Sequence, residues 1–209
     1  VTQDLAPALV NPGMVKDALW TDLNGDKLPD LVVVGEWMPV MLLLNENGKL
    51  KDASTELGTS ELLGWWQSAQ SADLDGDGDQ DLVLGNVGLN TKYYVSKEKP
   101  LKVFGNDFDE NGIVDVVLSK PYKDKFVPAR GRQCSSEQMP FIKDKFPTYN
   151  DYANASVEEV YGKENLKEGV ELTATTFASM VLLQGEDGKF EAQKLPMMAQ
   201  LSPVNAIIA

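Results

Sequence analysis

The sequence predicts an all-β fold of antiparallel strands with a short helical insertion. Three observations carry this. Apolar runs such as "LVVVGEW", "VMLLL" and "LVLGN" read as β-strands. Clusters of Asp, Asn and Gly, the residues of tight turns, punctuate them. Three of those clusters share one spacing, and each lies between two strand-like segments.

The three clusters are "DLNGDKLPD" (residues 22–30), "DLDGDGDQD" (73–81) and "DFDENGIVD" (107–115). Each has Asp at position 1, Asp or Asn at positions 3 and 5, and Asp at position 9. If such a loop curls, the side chains at 1, 3, 5 and 9 can converge with the backbone carbonyl at 7. That gives an all-oxygen shell of about six to eight ligands, which suits calcium better than magnesium. The candidate ligands are Asp22, Asn24, Asp26, Leu28 (carbonyl) and Asp30; Asp73, Asp75, Asp77, Asp79 (carbonyl) and Asp81; and Asp107, Asp109, Asn111, Ile113 (carbonyl) and Asp115. Without a cation, so many like charges within a few ångströms repel. The rival reading is a solvated Asp/Gly turn that holds no metal. A single loop leaves the two readings open; three loops of one spacing favour the cage. An EF-hand is excluded, because position 12 is Val33, Leu84 or Leu118 where a bidentate Glu belongs, and the flanks are strands.

Composition narrows the function. The 209 residues suit one large domain or two small ones. The net charge is −13, which argues against nucleic acid and permits cations and basic partners. The chain has no histidine, so the usual zinc ligand and neutral-pH general base are missing. A single cysteine, Cys134, forms no internal disulfide, and with no histidine beside it a structural, buried thiol is expected. No apolar run is long enough to span a bilayer, and "VTQDLAPALV" is not a signal peptide. Any targeting segment is therefore expected to lie outside this sequence.

The pattern D-x-[DN]-x-[DN]-G-x-x-D between two strands resembles the calcium loop of the FG-GAP/VCBS repeats of integrin α-chain propellers. Phe104-Gly105 stands just before the third loop. "GWWQSAQSADLDGDGDQDLVLGNVGLN" and "CSSEQMPFIKDKFPTYNDYANAS" are similar to segments of secreted bacterial ASPIC/UnbV-type proteins and of animal cartilage acidic protein. The resemblance implies a partial β-propeller of three to four blades and up to three structural Ca2+ ions. It also implies an extracellular, cell-surface or periplasmic location, and a non-enzymatic adhesion, ligand-binding or scaffold role toward a protein, matrix or glycan ligand. The alternative is the propeller domain of a polysaccharide-acting enzyme, although no pair of carboxylates stands out in so acidic a chain.

Taken as blades, residues of about 15–60 make the first, with a hairpin turning at Asn45 to Gly48. A short second covers about 64–100 and lacks an outer hairpin. The third covers about 101–195, ends in the hairpin around Gly188, and is interrupted at about 120–172 by two or three short helices. Capping-box patterns at Ser135–Gln138 and Ser156–Glu159 start two of these, and "KENLKEGVELTA" is helical in character. Residues of about 198–209 read as the first strand of a further blade. The resulting arc has open edges that invite self-association. Trp20 and Trp37 are expected in the blade core. One of Trp65 and Trp66 is expected outside it as a ligand-binding candidate, since neighbours in a strand face opposite ways. Arg130 and Arg132 either bind an anion or pair with carboxylates.

Overall fold

The structure, a computed structural model, describes residues 2–208. It is all-β in its main architecture, with three sheets in two compact units. One unit runs through Tyr94 and resumes at Ala174; the other is Val95–Thr173, inserted into the first.

The first sheet of the larger unit is β1 (Met14–Thr21), β2 (Asp30–Met38), β3 (Met41–Glu46) and β4 (Lys49–Asp52) in sequential antiparallel order. The two-residue β5 (Gly64–Trp65) adds beside β2. Strand β2 is apolar on both faces because both are covered. Val32 and Val34, with Val40 and Leu42, face the central core. Leu31, Val33, Met41 and Leu43 face a second cluster closed by Ala8 and Leu9, which follow helix α1 (Thr2–Leu5). The β3–β4 hairpin turns through Asn47 and Gly48, both left-handed, as the sequence anticipates.

The second sheet departs from the predicted blade boundaries. Its order is β13-β12-β7-β6, built from β6 (Ser68–Ala72), β7 (Asp81–Gly85), β12 (Met180–Gln184) and β13 (Phe190–Lys194). The hairpin around Gly188 therefore completes the second blade, not the third, and supplies the outer hairpin that blade was expected to lack. The physical reason is burial: Leu82, Leu84 and Leu182 are sealed from solvent in one core, with Leu182 directly opposite Leu82. Trp66 lies wholly inside this core, its indole N–H donating to Leu62 O at 3.0 Å. Trp65 packs on Trp37 and Phe177 with ring centroids 4.9 and 4.8 Å away. Trp20, expected in the core, is 59% exposed on β1.

The predicted last strand is not formed. Met197–Gln200 is a 3-10 turn, and residues 203–208 carry no strand. Pro203 has no N–H for a ladder, and Val204 is held by two isolated long-range bonds instead, donating its N–H to Asn86 O at 3.0 Å and accepting from Ser68 Oγ at 2.6 Å. Buried Gln200 fixes the turn, accepting from Ser179 N and donating to Ser179 O and Leu195 O.

The inserted unit holds β8 (Leu101–Asn106), β9 (Asp115–Tyr122), β10 (Lys125–Pro128) and β11 (Val170–Ala174), in the order β10-β9-β8-β11. Five short helices, two more than the longest expectation, connect β10 to β11: α2 (Arg132–Gln138), α3 (Phe141–Lys145), α4 (Tyr149–Asn154), α5 (Val157–Tyr161) and α6 (Lys163–Glu168). Helices this short depend on packing. Met139, Ile142, Tyr152, Val160 and Leu166 bury against Phe104, Phe108 and Val117 of this unit's strands and loop. The capping box at Ser156–Glu159 is present, and the Ser156 N–H and hydroxyl hold the Glu159 carboxyl below its usual range. The Ser135–Gln138 box is not: α2 begins earlier, at Arg132, so both residues sit within the helix. "KENLKEGVELTA" splits at Gly169 into helix α6 and strand β11. Cys134, expected buried, is exposed. No helix among the described residues is long and apolar enough to cross a membrane.

Trp66→Ala is expected to cost about 3–5 kcal/mol of stability in urea denaturation, because it empties a fully closed site. Trp20→Ala should cost well under about 1 kcal/mol by the same measurement.

Candidate cation-binding loops

Each acidic loop connects two antiparallel strands of one sheet: β1 to β2, β6 to β7 and β8 to β9. All three fold alike. The position-1 carboxylate turns back over the loop. Asp22 accepts from Gly25 N and Lys27 N at 2.8 Å each. Asp73 accepts from Gly76 N at 2.7 and Gly78 N at 3.2 Å. Asp107 accepts from Asn111 N at 2.9 and Gly112 N at 2.7 Å. The position-5 side chain accepts the N–H of position 7, as Asp26 from Leu28, Asp77 from Asp79 and Asn111 from Ile113.

This curl requires left-handed backbone at positions 4 and 6. The middle loop has glycine at both, Gly76 and Gly78. The first loop places Lys27 there at φ 68°, and the third Glu110 at φ 59°. The middle loop is thus the least strained as well as the most acidic.

Position 9 is different. Asp30, Asp81 and Asp115 are 0%, 1% and 4% exposed. One oxygen of each accepts the N–H of position 2: Leu23 at 2.8, Leu74 at 2.9 and Phe108 at 3.2 Å. The other accepts from a separate element: Asn45 N of β3 at 2.7, Gln184 N of β12 at 2.9 and Gln138 Nε2 of α2 at 2.9 Å. Sequence reasoning missed these anchors. Asn45 and Gln184 could have been found, since each is the polar residue that ends a "LL" run before a Gly-containing turn. Gln184 also donates Nε2 to Leu23 O at 2.7 Å, which ties the first loop to the second.

In the second loop, one oxygen each of Asp73, Asp75 and Asp81 lies within 4.8 Å of the others; in the third, Asp107, Asp109 and Asp115 do the same. These two groups could hold a metal ion. Asp77, at position 5 of the second loop, falls outside its group. The first loop forms no such group, because Asn24 replaces a carboxylate at position 3 and its amide is bonded to Asp26 at 3.1 Å. Of the three loops, the second and third therefore carry a full carboxylate triad. In the third loop Asp109 Oδ1 is sealed from solvent and has no hydrogen-bond partner. A buried carboxylate oxygen without a donor fits a cation ligand.

The electrostatics agree. The N–H of Asp77 favours ionised Asp75, but desolvation and the charges of Asp77 and Asp81 outweigh it and raise the Asp75 carboxyl. Burial raises Asp30 against the opposing N–H groups of Asn45 and Leu23, with Asp26 and Asp22 adding to the rise. A raised carboxylate opposes folding when ionised. That cost is present at neutral pH and is relieved as pH falls through the raised value, or when a cation neutralises the group.

Residues 22–84 match the FG-GAP-like repeat family. The match spans the first two loops and strands β2 to β7; the third loop lies beyond it and shares their geometry. No curated protein matches the chain.

Asp81→Ala should destabilise the metal-free protein by about 3 kcal/mol, since it strands the N–H groups of Leu74 and Gln184. Asp75→Asn should leave the metal-free protein as stable or more so, because it removes a crowded charge without orphaning a structural donor. Urea denaturation in EGTA compares the two.

Proposed function

We propose that this chain is a calcium-stabilised, non-catalytic binding or scaffold module of the FG-GAP type, working outside the cell or in the periplasm. The observation that carries the reading is the repeated loop: two carboxylate triads on one backbone template, one of them with a buried, undonated oxygen. All-oxygen triads beside backbone carbonyls suit calcium, and extracellular modules work at its millimolar abundance. Calcium here is structural. It neutralises the charges at positions 1, 3 and 9, and position 9 already ties the loop to a third element. The repeat match over residues 22–84 supports the propeller-type architecture. The reading keeps the resemblance to secreted ASPIC/UnbV-type proteins and cartilage acidic protein, and with it a protein, matrix or glycan partner met through adhesion-type contacts.

Calcium added to the metal-stripped protein should raise its melting temperature by about 5–10 °C at concentrations near a hundredfold above Kd. Magnesium should give much less, and EGTA should reverse the shift. Asp75→Asn and Asp109→Asn should each remove part of the rise, whereas Asp26→Asn should leave most of it. Equal shifts with magnesium, or none with either ion, would refute the calcium assignment.

A further inference from the structure

The chain has only two arginines, Arg130 and Arg132. Both line one cavity of about 370 Å³ in the inserted unit, together with Lys120, and no Asp or Glu lines it. In a chain of net charge −13, three cations at a carboxylate-free hollow are the opposite of what random placement gives.

Neither arginine is neutralised. Arg132 donates Nε to Phe146 O at 2.5 Å and Nη2 to Lys143 O at 3.3 Å, and its guanidinium lies 5.3 Å from the Tyr149 ring centroid. These contacts fix its plane without compensating its charge. Arg130 has only a long contact to Gln138 Oε1, at 3.5 Å. Of the two sequence-based readings, carboxylate pairing is therefore not realised. Most N–H donors of both forks remain without a protein acceptor, and such forks match the paired oxygens of an oxyanion. Two exposed tyrosines line the cavity beside the cations, Tyr122 at 48% and Tyr149 at 62%. Lys123 lies over the ring of the first at 5.4 Å and Arg132 over that of the second, so a sugar that stacks here takes the ring face away from the cation.

The geometry points to a binding site for a short acidic saccharide, whose carboxylate or sulfate is held by Arg130, Arg132 and Lys120 while its sugar ring stacks on Tyr122 or Tyr149. The cavity lies at the small end of ligand sites, which suits a short saccharide. The negative field of the whole chain repels long polyanions, which further favours a ligand of few charges. This goes beyond the calcium reading and does not rest on it: the cations and tyrosines come from β9, α2, α4 and the β10–α2 connection, outside the acidic loops.

The test is isothermal titration of the full chain in millimolar calcium with trigalacturonate and galactose 6-sulfate, and with maltotriose as the neutral control. At least one acidic probe should bind, maltotriose should not, and added salt should weaken the binding. Arg130→Gln and Lys120→Gln remove no structural contact shorter than the 3.5 Å bond to Gln138, and each should weaken binding about tenfold. Thermal melts of both variants should match the parent protein. Absence of binding by both acidic probes, equal binding of maltotriose, or affinity unchanged in both variants would overturn the proposal. Because calcium occupancy is read from the melt and not from the titration, failure here leaves the loop assignment standing, and failure there leaves this site standing.

Discussion

The interaction on which the rest depends is a buried carboxylate that gathers N–H groups from separate parts of the chain. Asp30, Asp81 and Asp115 each close their own loop through position 2 and reach a third element through the second oxygen. A sealed carboxylate is costly unless donors surround it. The three segments that meet at each site are therefore fixed together, and losing any one exposes the others to that cost. In the larger unit, Gln184 extends the tie by bonding both Asp81 and the carbonyl of Leu23, so the two loops of that unit share one network.

That network explains how the loops keep their shape while crowded with charge. Position 1 is satisfied by two backbone N–H groups and position 5 by one, so the curl is written into the backbone. What those donors leave unbalanced is the convergence of positions 1, 3 and 9. Desolvation and neighbouring carboxylates prevail at Asp75 even though it accepts an N–H. The loop is thus preorganised for a charge it does not itself supply. Its strain also differs from copy to copy: Lys27 and Glu110 take left-handed backbone that Gly76 and Gly78 adopt freely.

Much of this was legible in the sequence, for identifiable reasons. The nine-residue spacing and the strand flanks marked the loops, and the β3–β4 hairpin followed from the turn at Asn45 to Gly48. Partner choice was not legible. "MVLLQGEDGKFEAQ" has the texture of an outer hairpin, but nothing local says which sheet receives it. Adjacency in sequence suggested the third sheet; burial of Leu182 with Leu82 and Leu84 put it in the second. Trp20 was misplaced for a related reason. Hydrophobicity does not distinguish Trp66, wholly enclosed, from Trp20 on a strand whose outer positions are open. The helix start was misplaced where Ser135 looked like a cap, because α2 begins at Arg132 without a capping side chain and turns Ser135 and Ser136 to its buried face. At the acidic loops the spacing could propose ligands but not show how the loop's own N–H groups use them. That position 5 turns inward to its own backbone is a property of the curl, visible only once φ is known.

The third acidic loop and the arginine cavity are joined by one chain of bonds, and Gln138 separates them. Its Nε2 donates to Asp115 Oδ1, and its Oε1 accepts from Arg130 Nη1. Only one orientation of the amide works, since a carboxylate cannot donate and a guanidinium cannot accept. A carboxylate at this position would pair with Arg130 and repel Asp115, cancelling the cation and straining the loop at once. A neutral amide bridges the two groups without cancelling either charge. Asp115 thereby meets the third loop, and Arg130 the cavity, without an ion pair between them. In so acidic a chain an arginine stays unpaired only where something holds the carboxylates off, and at this point a single glutamine does so.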